Sequence, residues 1–269
     1  MDGFITPDRY PTRPERKPAP KLPRVSLPTV TATRYVLPLR EGGSLPGVVE
    51  GNDLGTYVLK FHGAGQGPKA LVAEIIAGEL LRRLGLRVPE LKLCRLDPAI
   101  GKSEPDEEIQ ELLVRSAGLN LAVDFLPGSF GYDGSSGTPD QATRARILWL
   151  DAFIANVDRS WRNTNLLVWH KELWLIDHGA ALYFHHSWMS AERFAALPYD
   201  ATDHVFRDDA AAVPAIDAAL AAEITPDLLT EVIALVPDEW IADGDRERYH
   251  GHLTARLADR SAWLPGGAR

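Results

Sequence analysis

The sequence predicts an α+β fold of two lobes, a strand-rich first half holding one helix and a mainly helical second half. Three observations carry that expectation. Short runs rich in β-branched and aromatic residues crowd the stretch from 33 to 126 around a single long apolar-periodic segment. A glycine- and serine-rich break, PGSFGYDGSSGTPD (127–140), then interrupts the pattern. Beyond it, one hairpin apart, the chain reads as consecutive helices. The expected organisation is a flexible proline-rich tail over 1–30, a first lobe over 31–127 and a second over 128–269, without internal repeats.

Each element follows from local chemistry. Closely spaced prolines without periodicity make the tail a flexible or polyproline segment. TRYVLPL (33–39) and GVVEG (47–51) read as strands joined by REGGS, and GTYVLKFHG (55–63) as a third. GPKALVAEIIAGELLRRLGL (67–86) sets Leu71, Ile75, Leu80, Leu81 and Leu84 on a roughly helical period, with Pro68 at the start and Gly85 as the cap. VPELKLCRL (88–96) and GLNLAVDFL (118–126) are further strands either side of an acidic loop near Glu104–Glu111, the second read as an edge strand leading into a hinge. QATRARILWLDAFIANV (141–157) is a helix and NLLVWHKELWLID (165–177) a hairpin turning at His170–Lys171. ALYFHH (181–186) looks helical, and SAERFAAL, AVPAIDAALAAEI, PDLLTEVIALV and DRERYHGHLTARLADR supply the remaining helices.

Composition removes several functional classes. A net charge of −8 argues against a general nucleic-acid binder, which needs excess Lys and Arg to neutralise phosphates. No apolar run approaches the ~18 residues of a membrane span, and the first residues lack the apolar segment of a secretory signal. The single cysteine, Cys94, lies in the apolar run LKLCRL; it is expected in the core and excludes an internal disulfide, which fits a reducing cytoplasm.

The chemistry concentrates in NVDRSWRNTNLLVWHKELWLIDHGA (156–180). Asp158 follows a helix and opens a segment without apolar periodicity, so it belongs to a loop. Asn163 comes five residues later, and Asp177 ends the second hairpin strand. Because a hairpin returns its ends to one side, Asp177 can meet the Asp158–Asn163 loop. A carboxylate with an amide oxygen is a hard-oxygen pair suited to Mg²⁺ that keeps waters and substrate phosphates as further ligands. A second carboxylate nearby can orient, or take a proton from, an attacking hydroxyl.

An aspartate, an asparagine five later, a hairpin and then IDHG resemble the catalytic and metal-binding segments of the protein-kinase-like fold, and the whole phrase is more similar to the HipA-like kinases and the lipid-kinase branch than to ordinary eukaryotic protein kinases. The resemblance spans about residues 33–190. It implies ATP and Mg²⁺ as cofactors, Asp158 as catalytic base, Asn163 as a metal ligand and Asp177 as the main metal ligand. Asn165, directly before LLV, competes with Asn163. The family usually has histidine two residues after the catalytic aspartate; here Ser160 stands there. The resemblance also asks for a strand lysine paired to a helix acid, met by Lys60 in TYVLKF and Glu74 in LVAEIIAG. A lone acid on an apolar helix face needs such a partner. Gly42, Gly43 and Ser44 would let backbone N–H groups approach the phosphates, and the backbone of Val123, Asp124, Phe125 and Leu126 would face the adenine.

The acceptor implied by the resemblance is a protein serine or threonine hydroxyl, with a lipid headgroup or small alcohol left open. Two rival classes stay on the table. One is a nucleotide-binding interaction module on the same fold. The other is a metal-dependent hydrolase built on His178, His185, His186 and Asp203–His204, although no H-E-x-x-H or H-x-x-E-H pattern occurs. Nucleotidyl transfer is a further possibility on a kinase-like scaffold.

Overall fold

In a computed structural model, which describes residues 26–39, 45–65, 67–102, 104–188 and 191–266, the first half closes into a barrel. Its strands are β1 (Thr29–Pro38), β2 (Gly47–Gly51), β3 (Thr56–Lys60), β4 (Leu91–Leu96) and β5 (Gly118–Asp124), in the order β1-β2-β3-β5-β4. Neighbours are antiparallel except β1 and β4, whose parallel register Thr29↔Leu93 to Thr31↔Arg95 joins the two ends of the sheet. β5 thus lies between β3 and β4 and is not the edge strand expected from sequence. Its run Leu119–Val123 is buried at every position, the pattern of a strand covered on both faces.

The barrel interior holds Val49, Tyr57, Leu59, Phe61, Cys94 and Ala122, and Ile109, Leu112 and Leu113 pack into it. Those three belong to a helix, α2 (Glu107–Arg115), where the sequence suggested an acidic loop. The acids are its N-terminal signal: the Asp106 side chain accepts from Glu108 N–H, and Glu107 and Glu108 occupy the first turn, where the helix dipole favours negative charge.

Helix α1 (Pro68–Arg83) lies in a different core. Its Leu71, Ile75, Ile76 and Leu80 join β4 and β5 residues in one cluster that continues beyond residue 127. That cluster takes in α3 (Gln141–Phe153), β7 (Leu166–Trp169), β8 (Glu172–Leu175), α5 (Val213–Glu223), α6 (Pro226–Ala234) and α7 (Asp245–Ala258). The glycine-rich break carries a two-residue strand, β6 (Phe130–Gly131), which adds to the hairpin in the order β6-β7-β8. The hairpin turns at His170 (φ 50°) and Lys171 (φ 66°), two left-handed residues whose twist matches that of the flanking strands.

Three helix expectations shorten. α3 stops at Phe153 because Ala155 takes a left-handed φ of 51° and Arg256, buried in α7, donates to the carbonyls of Ala152 (2.6 Å) and Phe153 (2.8 Å). Burial pushes that guanidinium down to about 10. ALYFHH forms only a 3₁₀ turn over Tyr183–His186 after left-handed Leu182. SAERFAAL contributes the short α4 (Ala191–Ala195). Among the described residues no helix is long and apolar enough to cross a membrane.

Candidate active site

β3 alternates. Tyr57 and Leu59 point into the barrel, which leaves Val58 and Lys60 on the outer face that α1 covers. Glu74, in the middle of α1 and only 2% exposed, is surrounded by buried Ala73, Ile75, Ile76 and Ala77. Lys60 donates to Glu74 Oε1 and, at 2.8 Å, to Asp177 Oδ1. The other Glu74 oxygen lies 3.6 Å from His178 Nδ1. Burial by itself would push the Lys60 ammonium down, but Glu74 and Asp177 outweigh it and hold it above the ordinary lysine range. Burial would likewise raise Glu74, and Lys60 with His178 hold it well below the carboxylate range. The Lys60 side chain is 13% exposed and that of Asp177 46%. One end of this charge cluster is sealed and the other opens to solvent.

Asp177 sits just past β8 with φ 54°, and Asn165 just before β7 with φ 48°. Aspartate and asparagine are the non-glycine residues that best tolerate that conformation. Ile176 N–H donates to Asn165 O at 3.0 Å, so the residue before Asp177 is tied to Asn165. Asn165 reaches back in turn: its Nδ2 donates to Asp158 Oδ2 (3.0 Å) and Asp158 O (3.1 Å). Asn163 Nδ2 donates to the same Asp158 Oδ2 at 3.1 Å. Lys60, Asp177, Asn165 and Asp158 are therefore linked in one continuous chain of contacts. Asn165 is 8% exposed, whereas Asn163 is exposed. Ser160, at the position of the family's histidine, closes the loop on Asn163. Its N–H donates to Asn163 O at 2.9 Å, and its Oγ accepts from Asn163 N–H at 3.2 Å.

Beneath the loop lies a network that sequence reasoning missed. Arg159 Nε donates to Asp151 Oδ2 at 2.6 Å, with both side chains fully buried. His204 Nε2 lies 3.1 Å from the same oxygen, and Asn156 Nδ2 donates to Asp151 Oδ1 at 2.8 Å. Phe206 N–H donates to His204 Nδ1, which fixes Nε2 as the protonated nitrogen that donates to Asp151. Burial would raise the Asp151 carboxyl, but Arg159 and His204 hold it well below its usual range. One sequence signal was available: Asp151 stands alone on the apolar face of LWLDAFI, as Glu74 does on α1.

Other expected residues fall as follows. Gly42, Gly43 and Ser44 lie outside the described residues. Val123 pairs with Val58 and Leu91 inside the barrel sheet. Asp124 N–H donates to Glu90 O (2.9 Å) and Phe125 N–H to Thr56 O (3.1 Å), so those two donors are committed to the fold. Buried Leu126 follows them.

The histidines do not converge. His178 faces Glu74, His185 Nδ1 meets Tyr249 Oη at 2.9 Å, His185 Nε2 meets His186 Nε2 at 3.1 Å, and His204 serves Asp151. Among the described residues no three His, Cys, Asp or Glu side chains are grouped to hold a metal. The hydrolase reading therefore loses its ligand set. A cleft of about 840 Å³ lies behind the 198–202 segment, lined by Tyr199, Asp200, Arg207, Asp208 and Leu264, and not over Lys60 and Asp177.

A family model described as HipA-like kinase matches residues 35–259. Comparison with curated protein sequences finds no match. Among solved structures, a Helicobacter pylori proinflammatory kinase, CtkA, superposes with a TM-score of 0.54 at 13% identity, over 88% of this chain and 96% of that one. The Golgi casein kinase with Mn/ADP bound gives a TM-score of 0.46 at 14% identity, over 87% of this chain and 71% of that one. At such identities the CtkA likeness speaks to the fold, which is kinase-like.

Proposed function

The chain belongs to the HipA-like kinase family, and from that premise we propose that it transfers the terminal phosphoryl group of ATP, with Mg²⁺, to a serine or threonine hydroxyl on a protein. The observation that supports this most is Lys60. A buried ammonium shared by a sealed carboxylate, Glu74, and a half-open one, Asp177, is fixed in place yet presented to a ligand.

The side chains fit a divalent cation bound together with phosphates. Asp177 offers an accessible carboxylate, and an asparagine Oδ1 offers a neutral hard oxygen. Spacing favours Asn163 as that amide. Both asparagines spend Nδ2 on Asp158 and leave Oδ1 to accept, and the structure supports Asn165 because its backbone is bonded to Ile176 beside Asp177. Bound Mg²⁺ supplies charge neutralisation at the phosphates. Lys60 neutralises phosphate oxygens from the barrel side. Asp158, oriented by both asparagines, accepts a hydrogen bond from the acceptor hydroxyl and takes its proton as the new O–P bond forms and the bond from the γ-phosphorus to the β–γ bridging oxygen breaks, with ADP as the leaving group. Leu126 N–H remains for the adenine edge, and Gly42, Gly43 and Ser44 are the proposed phosphate loop.

The test is ATP turnover by wild type, Asp158→Asn and Asp177→Asn at saturating Mg²⁺. Losing one preorganised contact to the transition state predicts a fall of about 10²-fold or more in each variant. Equal turnover by all three proteins contradicts the assignment. ATP binding without turnover in the wild type identifies a nucleotide-binding module instead.

A further inference from the structure

Arg159 follows the proposed base directly, yet its side chain turns inward and is fully buried. Its guanidinium touches three parts of the site's framework. Nε donates to Asp151 Oδ2 on α3 (2.6 Å), Nη1 donates to Asn165 O (2.6 Å), and the same Nη1 lies 3.5 Å from Ile176 O. Asn165 holds Asp158, and Ile176 precedes Asp177. One planar cation therefore joins the backbone carriers of all three functional side chains to a carboxylate on a rigid helix. A third strand of support comes from the 199–205 segment. Tyr199 Oη donates to Asn156 O (2.6 Å), Trp161 N–H to Asp203 O (2.9 Å) and Val205 N–H to Arg159 O (3.2 Å), while Ser160 and His204 form an antiparallel bridge.

A fully buried Arg–Asp pair is weak evidence for stability, since its desolvation offsets most of its attraction. Arg159 Nη2 even lacks a hydrogen-bond partner. The geometry explains its retention differently. An arginine fork can hold a carboxylate and two carbonyls at fixed angles, which a lysine, a point charge on a flexible stem, cannot. We propose that Arg159, seated on Asp151, which His204 holds in turn, is a positioning residue for phosphoryl transfer that sets Asp158 and Asp177 relative to each other. This deepens the phosphotransferase reading and rests on it.

The test uses the full chain carrying Arg159→Lys and Arg159→Ala. Arg159→Lys keeps a buried cation for Asp151. The expected result is cooperative unfolding, a KM for MgATP within about threefold of wild type and a kcat lower by about 10²-fold, the loss that misplacing reacting groups by about an ångström produces. Millimolar guanidinium restores part of the lost kcat to Arg159→Ala, and equal sodium chloride does not. An unchanged kcat in Arg159→Lys, or losses matching only the unfolded fraction with no gain from guanidinium, overturns the proposal. Amide hydrogen exchange separates this claim from the phosphotransferase reading. Arg159→Lys should speed exchange at Ile176 and across 158–165 while α5 and α6 keep wild-type rates. Unchanged exchange there overturns the coupling even if the wild type turns over no ATP, an outcome that itself counts against the phosphotransfer reading alone.

Discussion

Two charge clusters reach the open end of the hairpin, one through Asp177 and one through Arg159, built from similar parts and finished differently. Lys60, Glu74 and Asp177 form a cluster that opens to solvent through Asp177. Asp151, Arg159 and His204 form one that water does not reach. In the first, an ammonium with two carboxylates leaves negative charge and an exposed oxygen, the condition for a cation and a polyphosphate to bind. In the second, a guanidinium, a carboxylate and a neutral imidazole balance within the protein, which leaves the cluster nothing to bind and only residues to hold. The contrast teaches that burial of charge is not one signal: its meaning depends on whether an edge of the cluster stays accessible.

The sealed cluster should break most severely. Asp151→Ala strands a buried guanidinium and is expected to lower stability by about 3–5 kcal/mol, read from urea unfolding. The double variant Asp151→Leu/Arg159→Met should recover most of that loss while staying inactive. A double variant no more stable than Asp151→Ala would show that the network is not an ion pair in the energetic sense.

A smaller, pH-dependent effect comes from His185. Burial, with His186 and Lys69 nearby, pushes its imidazole down to about 3. A group whose folded pKa is depressed binds fewer protons when folded. Its stabilisation is therefore complete above the unfolded value of about 6.5 and is lost as pH falls toward 3. Unfolding midpoints should drop between pH 7 and pH 5, before the depressed carboxylates of Glu74 and Asp151 begin to protonate. His185→Gln should flatten that stretch of the curve, and an identical slope in wild type and variant would contradict the assignment.

The smallest change expected is a gain. Lys171 holds φ 66° at the hairpin turn, so Lys171→Gly should stabilise the chain by about 1 kcal/mol, seen as a higher urea midpoint. A lower midpoint would mean that the lysine side chain carries a contact worth more than the strain.

Much of the open cluster was readable in the sequence because its members stand at telling local positions. Lys60 sits among strand residues, Glu74 is isolated in an apolar helix, and Asp158 and Asp177 bracket a hairpin. The structure brings Lys60, Glu74 and Asp177 into direct contact and reaches Asp158 through Asn165. The sealed cluster was not readable as a unit, since Asp151 meets Arg159 and His204 only after α3, the loop and the 199–205 segment fold together. Barrel closure was hidden for a similar reason, because β1 and β4 pair in parallel between distant segments. α2 was concealed by its own acidic first turn, which resembles a loop until Ile109, Leu112 and Leu113 are placed on one face.

The central claim is that the open cluster is a nucleotide–metal site and that Asp177, unlike Asp158, holds the metal. The direct measurement is thermal unfolding of wild type, Asp158→Asn and Asp177→Asn with ATP, in the presence and absence of Mg²⁺. The account predicts an Mg²⁺-dependent rise in Tm with ATP for wild type and Asp158→Asn, and none for Asp177→Asn. No rise in the wild type, or the same rise in all three proteins, would contradict it.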